Sequence, residues 1–496
     1  MTSSPPLSIA SFPAWARLND VDFTNAELRE TEGKGIGLVA ARDLKTTTTT
    51  TAHPTEETTS DANGKGDDLS TGDGKDGERA RTETAIGGQH EGKGIDHDPV
   101  QLLRIPHDLV LSAAAIEEYT KVDQNFRQLL DVAGHQSTRK DILLYLLTHL
   151  ILSAKGPSGS RGPASTPWTE YLKFLPRHVP VPTMWSEVER ALLQGTSLEE
   201  TATIQDWILI DALYRSRCLE LPRAGDAMVP GLDMANHSHD PTAYYEEDDK
   251  DDIVLLLRPG VEVTGGEEVS ISYGEKSPAE MLFSYGFIDR DSAAHELTLP
   301  LEALPDDPLG KAKLHIFKAP PTLKLSRSDG GLSWHSLFAY LMCLNEEDGL
   351  EFRVLQGKDG ERELKLFWHD QDVTARADDF EVLIEQHPLC QVFRLRVVAV
   401  LLEVVSTQLT HLPSEISHDQ LDPLRRAGLV REECIRAAET LWEVEASVLE
   451  SAAEVLEQQR THLFADVHVV DYLGSMEVSE SGQAPGASTN EEGDFS

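Results

Sequence analysis

Apolar residues bunch along this chain in two rhythms, one that suits short strands and one that suits helices. Residues 33–44, GKGIGLVAARDL, read as a glycine-rich turn followed by a strand. Residues 100–112, VQLLRIPHDLVLS, read as a strand and then a polar turn. The two strand-like pieces, Ile36–Leu44 and Val100–Ile105, are expected to pair with each other. From Ala113 to about Cys218 the spacing turns helical. DILLYLLTHLIL (141–152) predicts a buried helix and IQDWILIDALYRSRCL (204–219) an amphipathic one. Between them, in WTEYLKFLPRHVPVPTMWSEVERALLQGTSL (168–198), prolines are spaced to break elements. Strand-like stretches return in AMVPGLDMANHS (227–238), IVLLLRP (253–259) and EEVSISYG (267–274). Beyond about Leu309 the pattern is mostly helical, with Ile435, Leu441, Val444, Val448 and Val455 at helical spacing. No repeat of fixed period is evident.

Two stretches break these rhythms. Residues 46–98 are rich in Thr, Gly and Asp and nearly free of large apolar side chains, so they cannot offset their ordering entropy. A disordered insertion is expected there. The acidic tail from about Ser475 is expected to be disordered as well.

Bulk properties narrow the class. A chain of 496 residues is too long for one compact domain and suits two or three, and 40% hydrophobic content suffices for a core. The four cysteines, Cys218, Cys343, Cys390 and Cys434, are scattered with no C-x-x-C pair. That argues against a disulfide framework or a zinc site and suits a reducing compartment. The N-terminal segment lacks the basic start and apolar core of a secretory signal. The longest apolar run, Ile142–Leu152, is too short to span a bilayer and is interrupted by His149. The expectation is a soluble protein of the cytoplasm, the nucleus or both, without membrane contact.

Net charge is −41, which disfavours direct nucleic-acid binding. Residues 46–98 carry −7 of it and residues 472–496 carry −5, leaving −29 on the body. A body this acidic attracts basic proteins, although solubility alone would also account for it.

Three features carry candidate chemistry. GKGIG (33–37) before an apolar strand removes the Cβ atoms that would block a ligand from the backbone. It is neither a Rossmann fingerprint, which follows a strand and opens a helix, nor a P-loop. EGKGI recurs at 91–95, but DHDP follows there and no strand can form, so only the first copy has the context. Asn236-His237-Ser238 follows the apolar stretch AMVPGLDM, where polar side chains at a strand end can hydrogen-bond a ligand. An ordinary polar turn would explain that tripeptide by itself. Tyr273 and Tyr285 stand in two YG pairs that flank a short amphipathic stretch, VSISYGEKSPAEMLFSYGFI. Tyrosine in a strand is usually a packing residue, but Tyr273 would end its strand with its hydroxyl free to face a cleft.

Taken in order, GKGIGLVAARDL, WTEYLKFLPRHVPVPTMWSEVERALLQGTSL, RSRCLELP, VPGLDMANHS and ISYGEKSPAEMLFSYGFI resemble the SET-domain methyltransferases of the Rubisco large-subunit lysine methyltransferase branch. The resemblance covers residues 20–44 and 100–300, and 309–470 only as a helical region. It implies an α+β fold: a SET-domain β-fold of short sheets with a helical insert, followed by an all-α C-terminal substrate-binding lobe. The implied domains are a catalytic domain over 1–300 (insertion 46–98, helical insert 113–218), a helical domain over 309–470 and a tail over 475–496.

The resemblance also implies roles. Lys34, Gly35 and Ile36 match the loop whose backbone holds the methyl donor, S-adenosyl-L-methionine (AdoMet). Arg217 in RSR matches a residue near the donor, and Asn236 and His237 the pair that grips it. Tyr273 matches the tyrosine beside the reacting methyl and Tyr285 a second one lining the lysine channel, both catalytic. Asp233 is similar to a residue on the substrate side, and no metal is implied. The implied activity is AdoMet-dependent methylation of lysine on non-histone proteins, with a ribosomal protein or translation factor as the basic partner. Two alternatives share the scaffold: a protein-histidine methyltransferase, and an inactive SET-fold binding module. The 46–98 insertion, in place of a short turn, and EEDDKDD (246–252) depart from the family pattern.

Overall fold

The computed structural model describes residues 7–46, 99–134, 137–155, 164–190, 205–290, 295–328, 330–356, 361–412 and 418–481. Residues 47–98, expected as a disordered insertion, lie outside that set, as do 482–496 of the expected tail. The chain divides into two compact units, Met1–Pro176 with Arg217–Gly274, and Arg177–Ser216 with Glu275–Ser496. The boundary expected at 300–309 therefore falls at Gly274/Glu275, and part of the expected helical insert belongs to the second unit.

The first unit is built on short sheets. The central one runs Ala26–Thr31, Gly35–Ala40, Glu268–Ile271, Asn236–His237, antiparallel except for the last pair, which is parallel. A second sheet places Ile253–Leu257 between Gln101–Ile105 and Ala243–Glu247. Ile253–Leu257 is the continuous apolar run IVLLL, and all five side chains are buried, as a strand covered on both faces requires. Helices Ala113–Val122, Gln124–Ala133 and Thr138–Lys155 form the insert expected from their spacing.

The expected pairing of Ile36–Leu44 with Val100–Ile105 does not occur. Gly35–Ala40 pairs with 26–31 and 268–271, Leu44–Lys45 with Glu262–Val263, and Gln101–Ile105 with Ile253–Leu257. Thr46 and Val100, on either side of residues 47–98, are nonetheless tethered to one short piece of chain. Thr46 Oγ1 accepts the Gly260 N–H at 2.8 Å, and the Val100 carbonyl accepts the Leu257 N–H at 3.0 Å. Those anchors are three residue steps apart, a span of at most about 11 Å.

The buried helix Thr138–Lys155 carries a polar group into the core. His149 is fully buried, with its ring 4.2 Å from that of Tyr145, and its Nδ1 lies 2.7 Å from Thr169 Oγ1. Its Nε2 is buried without a partner. Burial disfavours the imidazolium and pushes the pKa down to about 4, against a weaker pull upward from Asp123. A depressed folded-state pKa means protons bind preferentially to the unfolded chain. This contribution is therefore intact above about pH 6.5 and lost as pH falls toward 4, to the extent of about 2–3 kcal/mol. Urea melts of wild type and His149→Leu should converge over that window, because the variant lacks the titration. Parallel pH dependences would show that the imidazole is not the group responsible.

The second unit departs from the all-α lobe expected for it. Two three-stranded sheets precede the long helices: His295–Pro300, Thr322–Ser328 and Gly331–His335, then Leu350–Gln356, Arg362–Trp368 and Gln371–Asp372. Their sequences, TLKLSRS and RELKLFW, alternate with the strand period, and that local signal yields to the helical periodicity only further on. Helices Cys390–His411 and Glu432–Phe464 then add a large share of the core, with Leu401, Ile435, Leu441 and Leu449 at zero exposure. A last helix runs Val467–Ser481, so residues 475–481, expected in the disordered tail, are helical. Among the described residues no helix is long and apolar enough to cross a membrane.

Candidate functional site: a polar cluster on the first unit's central sheet

The site begins at the turn between the first two strands of the central sheet. Gly33 and Gly35 have φ of +73° and +79°, a region that disfavours a side chain. A Cβ at either would meet nothing within 4 Å, so the backbone on both sides of Lys34 is open. Lys34 Nζ forms an ion pair with Glu268 Oε2 at 2.7 Å, and Ile36, second in the strand Gly35–Ala40, pairs with Glu30.

The second component is the segment 231–237, clamped along its length. The Gly231 N–H donates to Asp233 Oδ1 at 3.1 Å and to the Tyr171 hydroxyl oxygen at 3.0 Å. Arg217 Nη1 donates to the Asp233 carbonyl at 2.7 Å, and the Tyr273 hydroxyl donates to the Ala235 carbonyl at 2.7 Å. Asn236 and His237 then pair in parallel with Ser270 and Ile271. Asn236 Nδ2 donates to Glu268 Oε1 at 2.7 Å and to Thr31 Oγ1 at 3.2 Å. The Tyr273 N–H donates to His237 Nδ1 at 3.1 Å, so a neutral His237 carries its proton on Nε2. The two rings lie 5.2 Å apart.

Electrostatics follow from this burial. Desolvation lifts the Tyr273 hydroxyl to about 12, with Asp233 and Glu268 adding to the rise and Arg217 opposing it. At neutral pH Tyr273 is a protonated hydrogen-bond donor. Burial likewise raises Asp233 above the usual carboxylate range, outweighing Arg217 and the Tyr171 hydrogen bond, and holds Tyr171 well above 10. Asp233 Oδ2 and Arg217 Nε are buried without hydrogen-bond partners, with Arg217 Nη1 3.8 Å from that oxygen.

Lys34, Gly35, Ile36, Arg217, Asn236, His237, Asp233 and Tyr273 thus all lie in the first unit, tied through Glu268 and the segment 231–237. Asp233 needs a correction. Its side chain has no exposure and accepts from Tyr171, so it supports its own chain segment and Arg217 instead of touching a substrate. Tyr285 belongs to the second unit, half-buried at the end of helix Pro278–Tyr285 with its ring 6.4 Å from Phe287. Sequence reasoning missed Thr31, Tyr171 and Glu268, and took Gly37 only as part of the open turn. Gly37 had a readable signal, a glycine inside a strand, which marks a close approach. A Cβ there would lie 2.6 Å from Asn236 Nδ2.

No family model matches the chain. SET domain-containing protein 8 of Schizosaccharomyces pombe is 26% identical over 370 residues, 66% of this chain and 83% of that protein. The Rubisco LSMT structure bound to AdoMet superposes with a TM-score of 0.58 at 17% identity, covering 92% of this chain and 93% of that one. The chain has a SET-domain fold like that of LSMT. A structure of the LSMT SET domain bound to lysine and AdoHcy gives a TM-score of 0.56 at 18% identity, with 92% and 93% coverage. Two further relatives match this SET-domain protein over shorter stretches. The fructose-bisphosphate aldolase-lysine N-methyltransferase of Arabidopsis thaliana is 28% identical over 188 residues, 30% of this chain and 39% of that enzyme. The actin-histidine N-methyltransferase of Danio rerio is 24% identical over 255 residues, 42% and 41% of the two chains. Among the described residues of this SET-domain protein, no group of three or more His, Cys, Asp or Glu is placed to hold a metal ion.

Proposed function

We propose that this SET-domain protein is an AdoMet-dependent protein-lysine N-methyltransferase of the cytoplasm or nucleus. Its expected targets are basic non-histone proteins such as ribosomal proteins or translation factors. The observation that carries this reading is the tied arrangement of the open 33–35 backbone, the Asn236–His237 pair and the Tyr273 hydroxyl. Lysine is favoured over histidine because the relatives that act on lysine share the fold across nearly the whole chain. The match to the actin-histidine enzyme keeps histidine as the second reading.

The fit to the donor rests on this chain's own groups. The Cβ-free turn at 33–35 leaves room for a ligand against the backbone, and Asn236 and His237 supply polar atoms beside it. Bound AdoMet would supply a methyl group on a sulfonium cation. The harder task is the nucleophile, since a lysine with a pKa of about 10.4 is neutral about one time in a thousand near pH 7.5. Desolvation shifts that balance toward the amine, and a nearby cation adds repulsion. Arg217 is such a cation, and its carboxylate neighbour Asp233 is biased toward the neutral form. The Tyr273 hydroxyl donates a hydrogen bond to the Ala235 carbonyl, which fixes its direction, and a hydroxyl oxygen can accept from an amine N–H or a polarised methyl. Catalysis of this kind is mostly positioning.

Incubating cell lysate with isotope-labelled AdoMet, followed by mass spectrometry, tests the activity directly. Label surviving Lys→Arg at the modified position but lost with His→Ala would establish the histidine reading. In calorimetry, Asn236→Ala should weaken AdoMet binding by about 1–3 kcal/mol, as expected for a lost buried hydrogen-bond partner. Unchanged affinity in a folded variant would remove Asn236 from the donor site.

A further inference from the structure

The carboxylate of Glu268 is the hub of the polar cluster, although nothing in its surroundings in the sequence distinguishes it. It opens the strand Glu268–Ile271 opposite Val39 and uses its two oxygens on two different elements. Oε1 accepts from the Asn236 amide at 2.7 Å, and Oε2 accepts from the Lys34 ammonium at 2.7 Å. A carboxylate can only accept, as the Thr31 oxygen does here, so the NH2 end of Asn236 must face them both. The Asn236 carbonyl oxygen is thereby turned the other way, as an acceptor. Packing enforces the arrangement, because a Cβ on Gly37 would sit 2.6 Å from Asn236 Nδ2 and 3.2 Å from Glu268 Oε1.

The Lys34–Glu268 pair has the opposite character, since it lies open to solvent. The side chains are 49% and 25% exposed. An ion pair so placed contributes little to stability and gives way readily to a ligand that offers both charges. A free amino-acid terminus, with an ammonium and a carboxylate on one carbon, is such a ligand. Its ammonium can take the place of Lys34 on Glu268, and its carboxylate the place of Glu268 on Lys34.

We propose that Glu268 and Lys34 form an exchangeable ion pair that receives the zwitterionic amino-acid end of the methyl donor, with Glu268 also fixing the Asn236 amide. The proposal rests on the methyl-donor reading given above. It assigns roles to two side chains, whereas that reading used only the Lys34 backbone and left Glu268 out.

The test compares two ligands with neutral sulfur that differ in their amino-acid carbons. S-adenosylhomocysteine has them and 5′-methylthioadenosine lacks them. Calorimetry on the full chain is run with wild type, Glu268→Gln and Lys34→Met. Each variant should weaken S-adenosylhomocysteine roughly 10- to 100-fold, the range for losing a charge-assisted hydrogen bond, and leave 5′-methylthioadenosine within about twofold. Equal weakening of both ligands by Glu268→Gln would reduce Glu268 to a structural support. Unchanged S-adenosylhomocysteine affinity in either variant would overturn the exchange. Lys34→Met changes an exposed residue and carries the test if Glu268→Gln does not fold. A wild-type chain that binds neither ligand overturns the methyl-donor reading itself, and the proposal with it.

Discussion

Replacing Tyr273 by phenylalanine should cut turnover by on the order of 10²- to 10³-fold while leaving donor affinity within about twofold, the range for removing one positioned polar group. The hydroxyl is committed at 2.7 Å to the Ala235 carbonyl, so its oxygen is presented in one fixed direction. The backbone N–H of the same residue holds His237 Nδ1, and that contact survives the substitution. The loss should therefore appear in kcat more than in KM. It should also be nearly constant from about pH 7 to about pH 10, because burial holds this phenol protonated up to about 12. Turnover close to wild type would move the role elsewhere, with Tyr285 the next residue to replace. A matching loss of donor affinity would mean that the Ala235 carbonyl, left without its partner, lets Asn236 drift.

Several parts of this architecture were legible because they rest on local rules. GKGIG announced an open turn only because an apolar strand follows it, and the strand Gly35–Ala40 is there. The helices of the insert and the long helix Glu432–Phe464 follow from periodicity. Strand partners were not legible. Alternation shows that a segment is a strand but not which distant segment completes it, and Leu38 pairs with both Leu28 and Val269. The sheets of the second unit were missed although LKL and ELKLF alternate, since the stronger helical signal beyond them coloured the whole region. In the site, the resemblance brought forward residues with distinctive neighbours, such as Asn236-His237 and Tyr273-Gly274. Glu268 and Thr31 are ordinary strand residues whose importance comes from contacts across the fold, Asn236 and Thr31 being 205 positions apart. Asp233 was misplaced for a related reason, because a carboxylate beside a polar motif looks the same whether it faces ligand or core.

Asp233→Ala should be the most destabilising substitution in the cluster, costing about 2–5 kcal/mol, the range for leaving two buried donors without their acceptor. It strips the acceptor from the Tyr171 hydroxyl and the Gly231 N–H where the side chain has no exposure, and leaves Arg217 without its neighbouring carboxylate. The clamp on segment 231–237 would slacken, so donor binding should weaken along with stability. Asp233→Asn keeps the shape and an acceptor oxygen and should cost much less. The two variants also separate geometry from charge. Burial raises the folded-state pKa of Asp233 above its unfolded value, so its titration adds stability at low pH that is lost as pH rises through the folded pKa. Asp233→Asn lacks that titration and should gain on wild type as pH rises above about 4 in urea melts. His149 titrates in both chains and cancels from the difference. A gap that does not change with pH would mean that Asp233 is ionised as readily in the fold as in the unfolded chain, contrary to the burial of its carboxyl.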